Sequence, residues 1–438
     1  MKNTAKKLIA LVLAMVMVFA LVACGNAEEP EKTPDETPGT SAPAETDKQP
    51  EESKPAEETP AVPELSGEPI KIGHIADLTG TEALTGAEAK RSLEFAVAQL
   101  NGIAGRPVEV ITRDATGSVD GAVDAARYLV EEENVVAVFG PNQAGQKTAV
   151  SNYCAEQGVP LIFYNGSPAY LFKTNPWLIG AGGANPQMTV MADYAYTTLG
   201  YRTVNILTMD NTGFRTFTDD FTKAFEALGG KVVTAQYAPF PCDDWAPYLL
   251  GMDASADAIM AWTTGSNAIA LWQNWHQMNL HETLPMTAIM QSAFTDDYII
   301  KALAGTYPEV VEHILGTIAP SMCVYTTGTP ENDAFVAAWK AEFGEMPSNN
   351  LSGQIYQAYQ VLKTAIESID GNTEHEAVRD AILATELDGP AGHMEFNGYG
   401  ACTKDVYIVK VVQLEDGTFN YETITTYEDV APNGLLSE

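Results

Sequence analysis

The chain has 438 residues, 45% of them hydrophobic, and a formal net charge of −34. That length exceeds one ordinary core, so two domains with appendages are expected. Residues 25–65 carry −9 and the first 24 carry +3, leaving −28 from residue 66 onward; a field of that sign repels nucleic-acid backbones and anionic lipid headgroups, which excludes both as expected partners.

In chain order, the first 24 residues read as an address. Lys2, Lys6 and Lys7 form a positive start, and Leu8–Val22 is an apolar run too short and wrongly flanked for a comfortable permanent span. Leu21-Val22-Ala23-Cys24 then resembles a bacterial lipobox. The resemblance implies that Cys24 is lipidated and becomes the mature N-terminus, holding the chain on the extracytoplasmic face of the cell membrane by lipid alone. Residues 25–67 mix Pro, Glu, Thr, Ala and Ser without apolar periodicity, which predicts a disordered, self-repelling acidic tether.

From Pro69 strands and helices alternate. Ile70–Ile75 reads as a strand, Ala87–Leu100 as a helix, Val108–Thr112 as a strand and Val119–Glu132 as a helix. Val135–Phe139 and Val159–Phe163 are short apolar runs of the kind found in buried parallel strands, and Ala144–Gln157 between them reads as a helix ended by Gly158. Trp177–Ala181 is extended, and Pro186–Leu199 is helical.

The alternation then restarts. Strands are expected at Thr203–Met209, Lys231–Tyr237, Ala258–Trp262, Met286–Met290 and His313–Ala319. Helices are expected at Phe214–Leu228, Trp245–Leu250, Ala268–Met278 and Asp296–Ala304, then at Asn332–Phe343, Gln354–Ile369 and His375–Thr385. Extended stretches close the chain at Gly392–Phe396 and Asp405–Gln413. Two such runs predict an α/β protein of two similar Rossmann-like lobes, each a parallel sheet covered by helices. The late elements are too few for a third domain, so the chain is expected to cross between lobes more than once. Lobe one is assigned residues 68–184 and 316–395, and lobe two residues 185–315 and 396–438.

Ligands of open α/β sheets bind at the carboxyl ends of the strands. Here those ends carry Gly140-Pro141-Asn142-Gln143-Ala144-Gly145 and Tyr164-Asn165-Gly166-Ser167, small and polar turns that let backbone N–H groups and a hydroxyl approach an anionic group. Catalytic signatures are missing. Gly140-x4-Gly145-Gln146-Lys147-Thr148 is one residue off a Walker A motif, Gly180-Ala181-Gly182-Gly183 lacks the dinucleotide spacing, and no G-x-S-x-G elbow occurs. The six histidines include no H-x-x-x-H pair, so no metal and no cofactor is expected. Cys154, Cys242, Cys323 and Cys402 are scattered and read as buried free thiols.

The lipobox, the acidic tether, KIGHIADLTG at residues 71–80, VFGP at 138–141 and GVPLI at 158–162 occur in one order. Together with FPCDDWAPYLL at 240–250 and the helix Tyr356–Ile369, that order resembles the leucine/isoleucine/valine-binding proteins, the type I solute-binding components of ABC importers. The resemblance implies two lobes joined by three crossovers and closing on a ligand between them, with no enzymatic activity. From lobe one it implies contacts at Gln143, Ala144, Gly145, Gly166 and Ser167, with Thr79 and Thr85 facing the cleft. From lobe two it implies Phe214 and Trp262, with Gln291 where amino-acid binders carry an acid for the α-amine and Arg215 available to a second anionic group. Gln cannot balance an ammonium group as a carboxylate does, which turns the expected ligand toward a carboxylate or amide on an apolar or aromatic body. The implied partners are an ABC permease and its ATPase, with the binding protein acting as a monomer. A sensory module that signals to a receptor shares the same fold and is the alternative reading.

Overall fold

The computed structural model of the chain describes residues 64–80, 82–291, 294–347, 351–396 and 400–432. The signal run, the lipobox with Cys24 and the tether up to residue 63 lie outside the described residues. Strands β1 (Ile70–Ala76), β2 (Val108–Asp114), β3 (Val138–Phe139), β4 (Leu161–Phe163) and β5 (Leu178–Gly180) pair in parallel in the order β2-β1-β3-β4-β5. They alternate with α1 (Ala83–Leu100), α2 (Val119–Arg127), α3 (Ala144–Gln157) and α4 (Ala169–Thr174). Helix α3 has the bounds that the sequence predicts, and Gly158 ends it with a left-handed φ of 67° that a Cβ would strain.

Helix α5 (Pro186–Thr197) opens the second run. Strands β6 (Thr203–Met209), β7 (Lys231–Ala238), β8 (Ala258–Ala261) and β9 (Met286–Ala288) form a parallel sheet ordered β7-β6-β8-β9. Their helices are α6 (Thr212–Ala227), α7 (Ala246–Leu250), α8 (Ser266–Gln277), α9 (Asp297–Ala304) and α10 (Pro308–Ile314). Both sheets begin at a second-position strand and reverse direction of growth after it, so each has a switch point: between β1 and β3 in lobe one, between β6 and β8 in lobe two.

The rest of the chain completes these lobes. After β10 (Ile318–Ser321) come α11 (Pro330–Phe343), α12 (Leu351–Ser368) and α13 (His375–Leu383), then β11 (Glu386–Gly389), β12 (Gly392–Phe396), β13 (Cys402–Gln413) and β14 (Phe419–Val430). Helix α12 buries Ile355, Tyr359, Leu362 and Ile366 in one core with Leu93 and Ala96 of α1. The chain crosses between lobes after β5, after β10 and between β12 and β13, so β10, which the sequence assigns to lobe one, packs instead with lobe two, where Ala319 joins the core. Strand β13 itself bridges them, because Cys402–Lys404 pair with β12 while Tyr407–Lys410 pair with β10.

The structure departs from the sequence reading in three places. The expected strand His313–Ala319 is the end of helix α10 followed by β10. Pro308 starts that helix, and Val310, Val311 and Ile314 bury one helical face, so a run rich in β-branched residues is claimed by packing. Strands β11 and β14 and helix α4 lie where none was expected, and β11–β14 make an antiparallel sheet, with β10 on β13, beside the two parallel ones. The Val119–Glu132 helix is α-helical only to Arg127, then widens into a π turn over Tyr128–Glu132. The four described cysteines, Cys154, Cys242, Cys323 and Cys402, are buried and free.

One local device invites a direct test. The Ser118 hydroxyl caps α2, accepting from the Gly121 N–H at 3.0 Å. Ser118→Ala should lower the unfolding free energy by about 1 kcal/mol, read as a lower urea midpoint with an unchanged slope.

Candidate functional site

Most residues singled out from the sequence lie at the carboxyl ends of the two parallel sheets, and the start of α3 in lobe one meets the start of α6 in lobe two. The carboxyl end of β1 delivers Asp77, 2% exposed, whose carboxylate accepts from the side-chain amides of Gln143 and Gln146 at 2.8 Å and from the Gly117 N–H at 2.9 Å. Gln143 is therefore a clamp between the first turn and the start of α3. The Thr79 hydroxyl donates to Asp114 at 2.8 Å, and the Thr85 hydroxyl to Glu82 at 3.2 Å. Burial raises the Glu82 carboxyl above its usual range, the Thr85 hydrogen bond opposing it. Burial also raises the Tyr298 hydroxyl of lobe two, followed by the charges of Asp296 and of Glu82 across the cleft.

Ala144 and Gly145 open helix α3, whose first turn has no side-chain cap. This turn meets the start of α6 in the other lobe: a methyl placed on Gly213 would lie 3.1 Å from the Ala144 Cβ. Gly166 and Ser167 follow β4. A Cβ on Gly166 would stand 2.6 Å from the Asn185 Oδ1, so any larger residue there must displace the Asn185 amide.

The centre of this wall is a residue that the sequence reading passes over. The Lys147 ammonium, 2% exposed, donates to Asn165 Oδ1 at 2.6 Å, to the Gly166 carbonyl at 2.8 Å and to Ser167 Oγ at 3.0 Å. These three acceptors are neutral, and burial pulls the lysine down to about 7. The Asn165 amide in turn donates to Asn142 in the preceding loop. Beside this group Asn185, fully buried at the crossing into lobe two, has both side-chain polar atoms without a partner among the described residues. Gln187 Oε1, the Tyr164 hydroxyl and the Thr263 hydroxyl at the end of β8 are buried in the same condition. Unpaired buried polar atoms are costly, about 1–3 kcal/mol each, and mark places where something else supplies the partner. A pattern in the sequence could have found Lys147: with Val150, Ser151 and Cys154 it runs at i, i+3, i+4 and i+7 along the buried face of α3. A charge on that face needs a reason.

On lobe two, Phe214 and Trp262 are each 8% exposed and their rings lie 4.2 Å apart at 37°. Trp262 is anchored through its carbonyl, which accepts from the buried Thr208 hydroxyl at 2.7 Å. Two residues are occupied differently from what the resemblance implies. Arg215 pairs with Asp210 at 2.7 Å and lies over the Tyr237 ring, so its anionic partner is the protein's own carboxylate at a half-exposed surface. Gln291 is locked in the hinge, donating to Asp296 and to the Tyr421 hydroxyl at 2.9 Å and accepting from Ser321 at 3.1 Å. That network ties β10 to β14 and orients the hinge side of the cleft.

Two open surface depressions lie away from these residues. One of about 720 Å³ is lined by Trp177, His375 and Asp380, and one of about 370 Å³ by Asp388, Asp405 and Tyr407. No helix among the described residues is long and apolar enough to cross a membrane.

A profile of the periplasmic binding protein family matches residues 69–418. The chain belongs to that family. Its members are solute-binding proteins without enzymatic activity, working outside the cytoplasm. The Leu/Ile/Val-binding protein homolog 7 of Brucella abortus is 26% identical over 348 residues, 76% of this chain and 84% of that protein. Among solved structures, an ABC transporter substrate-binding protein from Sphaerobacter thermophilus superposes with a TM-score of 0.77 at 28% identity, covering 83% of this chain and 99% of its own. A solute-binding protein of an ABC transporter from R. palustris, in complex with 4-hydroxybenzoate, superposes with a TM-score of 0.76 at 22% identity, covering 85% and 100%.

Proposed function

We propose that this periplasmic binding protein captures a small carboxylate on an aromatic or otherwise apolar body between its lobes and delivers it to an ABC permease and its ATPase. The observation that carries this reading is the buried, neutrally partnered Lys147 ammonium. An isolated buried ammonium costs several kcal/mol, and an arriving carboxylate offsets that cost with its opposite charge. Lys147 holds Ser167 so that the serine hydroxyl hydrogen can turn to the ligand, and the open first turn of α3 adds backbone N–H groups of the same sign. Phe214 and Trp262 supply an aromatic wall for the body of the ligand.

The choice of ligand class rests on lobe two. Its Gln291 is neutral and held by the hinge, so it offers nothing to an α-ammonium. A ligand without an ammonium fits better, and the 4-hydroxybenzoate held by the R. palustris neighbour is a carboxylate of that kind. Closure is a ligand-biased shift between open and closed arrangements of the lobes. The protein acts as a monomer, lipidated at Cys24 and set off the membrane by the tether of residues 25–67.

The test is a melting-temperature comparison with benzoate, 4-hydroxybenzoate, leucine, isoleucine and phenylalanine. A bound ligand at a hundred times its Kd adds about 2.7 kcal/mol, several degrees for a protein of this size. The aromatic acids should raise the melting temperature and the aliphatic amino acids should not. A rise with leucine and none with the aromatic acids would overturn the ligand class while leaving the cleft in place.

A further inference from the structure

We propose that His276, His281 and His313 form a binding site for a borderline transition-metal ion, Zn²⁺ foremost, on the flank of lobe two remote from the cleft. The three come from separate elements: His276 from the last turn of α8, His281 from the single 3-10 turn Leu280–Glu282, and His313 from the last turn of α10. Asn279 adopts a left-handed φ of 56° and its N–H bonds back to the His276 carbonyl at 2.8 Å, which folds the 3-10 turn over the end of α8. His281 is thereby brought face to face with His276, ring centroids 4.8 Å apart at 19°, and His313 lies 4.1 Å from His281 and 5.0 Å from His276. One ring nitrogen from each lies within 4.8 Å of the others.

Two features distinguish this group from an ordinary aromatic stack. The Nδ1 atoms of both His276 and His281 are buried and have no hydrogen-bond partner among the described residues. Buried imidazole nitrogens without partners, on rings gathered this closely, leave lone pairs that an electrophile can satisfy. The frame around them is also rigid. Trp275, 4% exposed, packs edge-on against His281 and His313, and its indole N–H donates to the Leu284 carbonyl at 3.0 Å, fixing the turn that carries His281.

The donor set selects the ion. Three imidazoles suit Zn²⁺, Cu²⁺ and Ni²⁺ and are poor ligands for Ca²⁺ or Mg²⁺. Zinc–nitrogen bonds of about 2.0–2.1 Å in a tetrahedron put the nitrogens about 3.3 Å apart, so the rings must turn out of their stack to converge on an ion, which leaves one position for water. The ion would staple the end of α8 to α10. Because α8 leaves the cleft end of β8 and runs about 18 Å away from it, metal and cleft ligand should bind independently. A second group, Glu386, His393 and Glu395, is more exposed, and its histidine already pairs with Asp388 at 2.8 Å, which makes it the natural control.

The experiment is calorimetric titration of Zn²⁺ into the untagged, chelator-treated protein, followed by the same titration of His281→Gln, His313→Gln and His393→Gln, each checked for native circular dichroism. Expected are one equivalent of zinc at a Kd of about 10 μM or tighter, a raised melting temperature, loss of both in the first two variants, and no change in His393→Gln. Should either of the first two variants fail to fold, Co²⁺ added to the wild-type chain should give the visible absorption of a four-coordinate site that Zn²⁺ abolishes. No binding to the wild-type chain, or binding that survives His281→Gln and His313→Gln, or is lost only in His393→Gln, would overturn the assignment.

Discussion

Lys147→Met is expected to weaken capture of a carboxylate ligand by at least about 100-fold, the scale set by hydrogen bonds to a charged group and by loss of one partner of a buried pair. Methionine keeps the length of the stem and removes only the charge and the donors, so the fold should persist by circular dichroism. The pH dependence separates this account from a packing effect. In the unliganded protein burial pulls Lys147 from its ordinary 10.5 to about 7. Between those values the unfolded chain holds a proton that the folded protein has shed. Stability of the unliganded protein should therefore rise from about pH 7 to about 10.5, by up to about 1.4 kcal/mol per pH unit, and be flat on either side as far as this group is concerned. Ligand affinity should run the other way. A carboxylate binds the protonated lysine, so its association constant should fall by up to about tenfold per pH unit above 7. Subtracting the Lys147→Met profile from the wild-type profile isolates the group from every other titration. Identical profiles, or unchanged affinity in the variant, would show that the ammonium plays no part in recognition.

Ser167→Ala combined with Trp262→Ala should remove binding altogether in a calorimetric titration. Ser167 Oγ accepts from Lys147 at 3.0 Å, and its nearest acceptor in the protein is the Asn165 carbonyl at a long 3.3 Å, so its hydrogen is available to a guest. Its loss should cost about 1 kcal/mol, and loss of the indole about 3 kcal/mol or more. The sum, about 4 kcal/mol, approaches a thousandfold in affinity. Trp262 also touches the lobe-two core through Phe214 and Phe217, so Trp262→Phe belongs in the series: it keeps the packing and should retain part of the affinity. Arg215→Ala is the contrasting variant. Its charge is already met by Asp210 at a half-exposed surface, where such pairs are worth about 0–1 kcal/mol, so affinity should change by no more than severalfold. A double variant that still binds as well as the wild type would put the ligand somewhere else.

Period and punctuation in the sequence already specify most of the architecture. The strands Thr203–Met209 and Ile70–Ala76 announce themselves as apolar runs, and the helix Ala144–Gln157 is bounded by a polar turn and a left-handed glycine. These are local signals, decided within a few residues by sterics and hydrogen bonding. The strands that went unread are of another kind. Phe419–Val430 has Glu, Asn and Thr among its residues and is a strand because β13 offers it a long partner, while Pro308–Ile314 is a helix because its apolar face meets the lobe-two core.

The site divides in the same way. The turn that carries Gly166 and Ser167 is placed by sequence order, because the carboxyl end of a parallel strand is a place that order defines, whereas Trp262 is singled out by the family resemblance. The roles of Gln143, Arg215 and Gln291 were not legible in the chain, since each depends on a carboxylate or hydroxyl outside its own turn: Asp77, Asp210, and Ser321 with Tyr421. Nor was the meeting of three histidines from three elements. By itself the sequence determined the alternation of strand and helix, the doubling of that pattern and the neutrality of position 291. Only the tertiary structure decided which charges are buried without a counter-charge, Lys147 among them, because desolvation is a property of the surrounding atoms and not of the residue that bears the charge.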